Sequence, residues 1–243
     1  MAKRQRQRGF QDKTGKSIGR PSRLIAVLMP TMDVVYSDFA HDMAVSLAYH
    51  MAKNPEDQLV PVTAKGTALP KMRNTLAQDA INMDADWTIW LDSDMRFPAD
   101  TIARLLESGN DVVTVNAPKR KEPIGSTAHI YNPITNRMDK LPIDPSGEIV
   151  QIGSCGFAVA AIRTEVFRRV PGPWFHTPYL EDINQIIGED IYFSSKLGQA
   201  GIKLHCDLEL SEEVGHTGLK DYYLADARMW RDIKKAEEEE QRS

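Results

Sequence analysis

The apolar run Trp87-Thr88-Ile89-Trp90-Leu91 breaks off at Asp92-Ser93-Asp94, and this junction constrains the chain more than any other stretch. A run of this kind reads as a buried strand, and here the strand ends in two carboxylates separated by one residue. Residues two apart on an extended strand project to one face, so Asp92 and Asp94 converge while Ser93 points away. Hard oxygen ligands suit Mg²⁺ or Mn²⁺, and such an ion usually completes its shell with phosphate oxygens. Taken alone, the triplet also fits a plainer account in which Asp94 caps the helix after Phe97-Pro98 and Asp92 is a solvated loop residue.

The surrounding pattern is that of an α/β chain. Residues 24–29 form a continuous apolar run stopped by Pro30, which suits a central parallel strand buried on both faces. Pro30 and Thr31 then lie at the carboxyl end of that strand, where open α/β sheets bind ligands, and they are candidate nucleotide contacts. Residues 37–51 read as a helix and 59–63 as a short strand. Leu69, Met72, Leu76, Ala80 and Met83 recur at three- and four-residue spacing, giving an amphipathic helix with Pro70 in its first turn. Arg73 and Asn74 fall off that stripe near the positive end of the helix, where phosphate could meet a guanidinium and the helix dipole. An exposed helix arginine fits the same spacing.

Residues 98–107 place Ile102, Leu105 and Leu106 on one helical face, and 111–116 form a β-branched strand. From 117 to 148 the pattern loosens into short alternating pieces with many turn residues, which predicts a β-hairpin insert. Lys119-Arg120-Lys121 in this loop is either a phosphate contact or a solvated basic turn.

Gly153-Ser154-Cys155-Gly156 precedes an apolar strand at 157–162, and its glycines let backbone approach a ligand or form a bulge. In the turn Pro171-Gly172-Pro173-Trp174-Phe175 an aromatic ring either stacks on a sugar or anchors the loop in the core. Gly188-Glu189-Asp190 opens a helix in which Asp190, Phe193, Leu197 and Ala200 share a face, aiming Asp190 toward the sheet. A first-turn carboxylate is favoured in its ionised form by the helix dipole and can accept a proton; it also serves as a plain helix-start acid. After a strand at 202–207 comes His216 in a Gly-His-Thr-Gly turn, a surface residue or a nitrogen ligand for Mn²⁺.

Over residues 22–220 this order resembles the GT-A glycosyltransferases, in particular compact members encoded by bacteria and their phages. The D-x-D, the Gly-Glu-Asp element and the late histidine carry the resemblance. It implies a single Rossmann-like α/β GT-A domain, with a mostly parallel central sheet flanked by helices and a small β-hairpin insert. It further implies metal-dependent transfer of a sugar from a UDP- or GDP-linked donor to a hydroxyl acceptor on a glycan, protein or modified DNA base. On that resemblance Asp94 and His216 bind Mn²⁺ or Mg²⁺, with Asp92 on the metal or the donor ribose. Pro30, Thr31, Arg73 and Ser93 contact the donor, with Arg73 facing the diphosphate. Gly153, Ser154, Trp174 and Glu189 line the acceptor side. Asp190 is the base if configuration inverts and a positioning residue if it is retained.

The 243 residues suffice for one α/β domain, expected at 22–225 between an arm at 1–21 and a charged C-terminal helix or tail at 226–243. No apolar stretch approaches the ~20 residues of a membrane span, and no signal-peptide core is present, so a cytoplasmic location is expected. Cys155 and Cys206 offer no disulfide framework or zinc cluster. Residues 1–20 hold seven Lys/Arg against one Asp, leaving the remainder at −10. This arm lacks hydrophobic periodicity, is expected to be disordered, and either touches nucleic acid through counterion release or is a solvated tail. Two rivals follow: a nucleic-acid-binding protein using the arm, and a nucleotidyltransferase. The latter would carry a Gly-rich signature after the first strand, which Pro30-Thr31-Met32-Asp33 is not.

Overall fold

The computed structural model describes residues 21–142, 148–218 and 221–240. The expected disordered arm lies outside the described residues. The first half runs β1 (Leu24–Thr31), α1 (Ser37–Lys53), β2 (Gln58–Lys65), α2 (Leu69–Asn82), β3 (Trp87–Leu91), β4 (Met95–Arg96), α3 (Thr101–Glu107) and β5 (Val112–Val115). Then come β6 (His129–Asn132), β7 (Arg137–Lys140), β8 (Ile149–Ile152), β9 (Val159–Arg163), α4 (Thr164–Arg169), β10 (Tyr179–Leu180) and β11 (Gln185–Ile186). The last elements are α5 (Glu189–Gln199), β12 (Leu204–Asp207), α6 (Leu208–Glu213), β13 (Gly215–Thr217), β14 (Asp221–Tyr222) and α7 (Leu224–Glu240).

One seven-stranded sheet, in the order β2-β1-β3-β9-β5-β12-β8, forms the middle layer. Pairs β1–β2, β1–β3 and β5–β12 are parallel, whereas β9 and β8 run against their neighbours. Five strands therefore share one direction, which is the mostly parallel sheet that the family resemblance implies. The two reversed strands have no signature in those runs.

Every residue of β1 is buried, because both faces are covered. Leu24, Ala26 and Leu28 pack with Leu76, Ala77 and Ala80 of α2, Phe167 of α4, and Phe193 and Leu197 of α5. Ile25, Val27 and Met29 pack on the opposite face with Phe39 of α1, Ile102 and Leu105 of α3, and Leu210 of α6. This alternation of side chains is the period-two geometry of a strand buried on both sides. On the first face Trp90, Phe167, Phe175 and Phe193 form an aromatic nest, with Phe175 and Phe193 centroids 4.7 Å apart and Phe167 and Phe193 stacked at 5.5 Å. Such contacts contribute beyond their area and fix the start of α5 against the end of β3.

β6 and β7 pair as the hairpin insert. α7 begins at Leu224, slightly before the expected charged segment, and its first turns bury Leu224 and Ala227. Among the described residues no helix is long and apolar enough to cross a membrane.

At the amino edge of the sheet, buried Asp57 joins the start of β2 to the chain before β1. Arg23 Nε donates to both Asp57 oxygens at 3.0 and 2.9 Å, and His50 Nε2 lies 3.0 Å from Oδ2. Burial works to raise the Asp57 pKa, but Arg23 and His50 outweigh it and hold the carboxyl below its ordinary value. A depressed carboxylate contributes stability that is full above the ordinary carboxylate range and is lost as pH falls through the folded value. Asp57→Asn is expected to cost about 3 kcal/mol in urea unfolding at pH 7. The difference from wild type should shrink below about pH 4, where the unfolded carboxylate is already protonated.

Candidate functional site

A cleft of about 350 Å³ opens at the carboxyl ends of β1 and β3, lined by Pro30, Thr31, Met72, Asp92, Ser93 and Arg120 among others. This is the edge where ligands bind in open α/β sheets. The chain leaves β3 through a tight turn in which Met95 N–H donates to Asp92 O, and β4 then pairs antiparallel with β13. That short pairing sets His216 opposite Met95, and Thr217 N–H donates to Asp94 O at 2.8 Å.

His216 Nε2 consequently lies 3.3 Å from Asp94 Oδ2, while Nδ1 lies 3.0 Å from Pro118 O. A carbonyl can only accept, so Nδ1 carries the hydrogen. In the neutral ring, the Nε2 lone pair then faces a carboxylate oxygen, and two acceptors at this distance call for a proton or a cation between them. Metal-binding histidines are oriented in this way by a backbone carbonyl on the far nitrogen. Asp94 and His216 thus fit a divalent cation that takes nitrogen and oxygen ligands, as Mn²⁺ does. Among the described residues no group of three or more His, Cys, Asp or Glu side chains forms a complete metal cluster. Burial works to raise the Asp94 pKa, but the hydrogen bond and charge of His216, with Arg120, outweigh it and leave the pKa lowered.

Asp92 has a different partner. Both its oxygens accept from Arg73 Nη2, at 2.9 and 2.8 Å, so the structure does not join it to Asp94 and His216 as a third ligand. Arg73 is 2% exposed, which rules out the exposed helix arginine that its spacing also fitted and turns its charge onto the protein's own carboxylates. Its Nη1 donates to Phe157 O at 3.3 Å, and its guanidinium lies 5.6 Å from the Trp90 ring and 5.7 Å from that of Phe175. Glu189 Oε1 stands 3.6 Å from its Nε. The reason is charge: carboxylates brought to a buried sheet end need a cation, and the arginine turns inward to supply it. Burial, opposed by Arg73 and reinforced by Asp94 and Glu189, raises the Asp92 pKa to about 6. Glu189 is raised too, by burial against the pull of Arg73 and with a push from Asp190.

Asp190, one residue into α5, accepts from Ile191 N–H at 2.7 Å. A Cβ on Gly188 would come within 2.6 Å of its Oδ1, and one on Gly156 within 3.9 Å of its Oδ2. Gly188 therefore leaves the room that this carboxylate occupies, while Gly156 lies alongside it at ordinary contact distance.

Other expected contacts sit elsewhere. Trp174 is a core anchor whose Nε1 donates to Phe167 O and Val170 O at 3.0 and 2.7 Å, so the ring does not present itself to the cleft. Asn74 ties down the same turn, accepting from Trp174 N–H at 2.9 Å and donating to Phe175 O at 2.6 Å. Gly153 lies under the hairpin, where an added Cβ would strike Met138 at 2.1 Å, and Ser154 is buried beside His129. Pro30, Thr31 and Ser93 do line the cleft. Arg120, from the triplet that fitted either a phosphate contact or a solvated basic turn, also lies there, with Nη1 3.1 Å from Asp94 Oδ2. Its position just after a strand's carboxyl end was the available signal.

No protein-family model matches the chain, and no curated protein matches it by sequence. Among solved structures, the crystal structure of A197 from STIV aligns at 17% identity over 80% of this chain and 85% of that one, with a TM-score of 0.50. At this identity the likeness concerns the fold alone. A structure of GalNAc-T7 with UDP, GalNAc and Mn²⁺ aligns at 14% identity over 76% of this chain and 42% of its own, with a TM-score of 0.48. A nucleotide-diphospho-sugar transferase from Desulfovibrio desulfuricans G20, so described in its structure, aligns at 12% identity over 74% and 78%, with a TM-score of 0.38.

Removing the buried cation is expected to expose its role. Arg73→Leu should destabilise the protein by about 3–5 kcal/mol, because it leaves Asp92 and Glu189 without compensation. A carboxyl whose folded pKa is raised loses stability as pH rises above its unfolded value. The penalty should therefore grow between about pH 4 and pH 6 or above, since Asp92 already titrates near 6 with Arg73 in place. Denaturant unfolding of both proteins at pH 5 and pH 8 checks this.

Proposed function

We propose that this protein is a metal-dependent glycosyltransferase, moving a sugar from a nucleoside diphosphate to a hydroxyl acceptor. The observation that carries the reading is the Asp94–His216 pair, two acceptor atoms 3.3 Å apart beside an open cleft at the ends of β1 and β3. A Mn²⁺ or Mg²⁺ ion held by Asp94 Oδ2 and His216 Nε2 would supply positive charge to the departing diphosphate. Pro30, Thr31 and Ser93 border the part of the cleft assigned to the nucleoside. Asp92, locked by Arg73, holds the strand end and leaves Asp94 to face the ligand.

On the other wall, α5 presents Glu189 and Asp190. As the acceptor oxygen bonds to the anomeric carbon and the bond to the diphosphate breaks, the hydroxyl proton passes to a carboxylate. Asp190 is assigned this role for an inverting reaction, because Glu189 is engaged by Arg73. Acceptors carrying hydroxyls on a glycan, a protein or a modified DNA base all satisfy this chemistry.

Calorimetric titration of UDP and GDP, with and without Mn²⁺, tests the metal assignment. Wild type should bind one of them far more tightly with Mn²⁺, Asp94→Ala should lose that dependence, and His216→Ala should weaken it about tenfold, since water can replace one neutral ligand. Equal affinity with and without Mn²⁺ in the wild type would sink the assignment.

Asp190→Asn keeps the size and much of the hydrogen bonding of the side chain but cannot take the proton. Donor affinity should stay within about twofold while transfer falls roughly a hundredfold. Near-normal transfer by this variant would move the base to Glu189 or the reaction to retention.

A further inference from the structure

Asp94 Oδ2 has two cationic or potentially cationic neighbours on the same oxygen: His216 Nε2 at 3.3 Å and Arg120 Nη1 at 3.1 Å. Arg120 reaches it from the loop that follows β5. The neck of that loop is closed by Lys119 N–H donating to Gly125 O at 3.4 Å, and buried Ile124 pins its far side. The backbone is thus held while the Arg120 side chain stays 43% exposed. Its contacts to Asp94 and to Thr217 O, at 3.1 Å each, are both made by Nη1. Nη2 and Nε carry no ion pair or hydrogen bond among the described residues, so most of the fork is available to a planar oxyanion.

A guanidinium in contact with Asp94 and a divalent ion on Asp94 and His216 exclude one another, because they would share an oxygen at a separation where like charges repel. The Arg120 side chain also borders the cleft that the diphosphate would enter. We propose that Arg120 is a tethered counter-ion: it neutralises Asp94 in the free protein, yields that oxygen to the incoming divalent cation, and transfers its guanidinium to the phosphate oxygens of the donor. The exchange keeps a positive charge beside Asp94 at every stage. It also couples cation binding to donor binding through one side chain, which makes Arg120 a donor-binding residue in addition to those at the ends of β1 and β3. The proposal rests on the reading of this cleft as a nucleotide-sugar site.

Arg120→Gln separates the two roles, and its exposed side chain makes a folding defect readily detected by a thermal melt. Manganese binding is followed by electron paramagnetic resonance without nucleotide, and binding of preformed Mn²⁺–pyrophosphate is followed by calorimetry. Arg120→Gln should bind Mn²⁺ alone about tenfold more tightly than wild type, the scale of removing one partly exposed competing charge. It should bind Mn²⁺–pyrophosphate about tenfold more weakly. Equal or weaker Mn²⁺ binding by the variant would overturn the competition while leaving the cation site intact. Tighter Mn²⁺ binding with undiminished pyrophosphate affinity would overturn the transfer to the diphosphate. Absence of Mn²⁺ binding by both proteins would overturn the reading of the cleft itself, and the exchange with it.

Discussion

Arg73 is the interaction on which the carboxyl edge of the sheet depends. Its guanidinium joins α2 to Asp92 after β3, to Glu189 at the start of α5, and to Phe157 O ahead of β9, while Trp90 and Phe175 cover its faces. Bringing Asp92, Asp94, Glu189 and Asp190 to one end of a sheet carries a heavy desolvation and repulsion cost. A buried cation offsets part of it where solvent cannot, and an arginine does so with directional hydrogen bonds to two segments and an ion pair to a third. Asp94 is left outside this arrangement, answered from the other side by His216 and Arg120. The edge therefore has an inner carboxylate paired with a buried arginine and an outer one that meets a part-exposed arginine and a histidine.

The outer half is assembled across a long sequence separation. His216 lies 122 residues from Asp94, and a two-residue strand pairing suffices to deliver it. Pairing so short would be weak alone. Thr217 N–H on Asp94 O, and the Pro118 carbonyl on His216 Nδ1, supply the added restraints that orient the imidazole.

Much of this was legible in the residues. The runs at Leu24–Met29 and Trp87–Leu91 announced buried strands, and both lie inside the sheet, away from its edges. The stripe of Leu69, Met72, Leu76, Ala80 and Met83 gave α2 within a residue of its C-terminus at Asn82. The direction of Arg73 was not legible, since helical spacing places a residue on a face but does not report the buried charges that draw a long side chain inward. For Trp174 and Gly153 the sequence left two readings open for a related reason. An aromatic turn or a glycine pair looks the same whether it meets a ligand or the protein's own side chains, and here Phe167 and Met138 occupy those places. Short pieces such as β4, β13 and α6 are too brief for any periodicity to register.

The reversed strand β9 has a consequence for the layout of the cleft. In a sheet of parallel strands, chain segments depart from the carboxyl edge and return to the opposite one. Because Val159 pairs with Leu91, and Ala158 O accepts from Asp92 N–H, the segment entering β9 arrives at the carboxyl edge instead. Gly156 is thereby carried up beside Asp190. The inversion of one strand gives this edge an incoming connection as well as outgoing ones. That connection is tied into the rest of the edge, because Phe157 O accepts from Arg73 and Ala158 O from Asp92 N–H, so a change in its path is felt both at the end of β3 and at the start of α5.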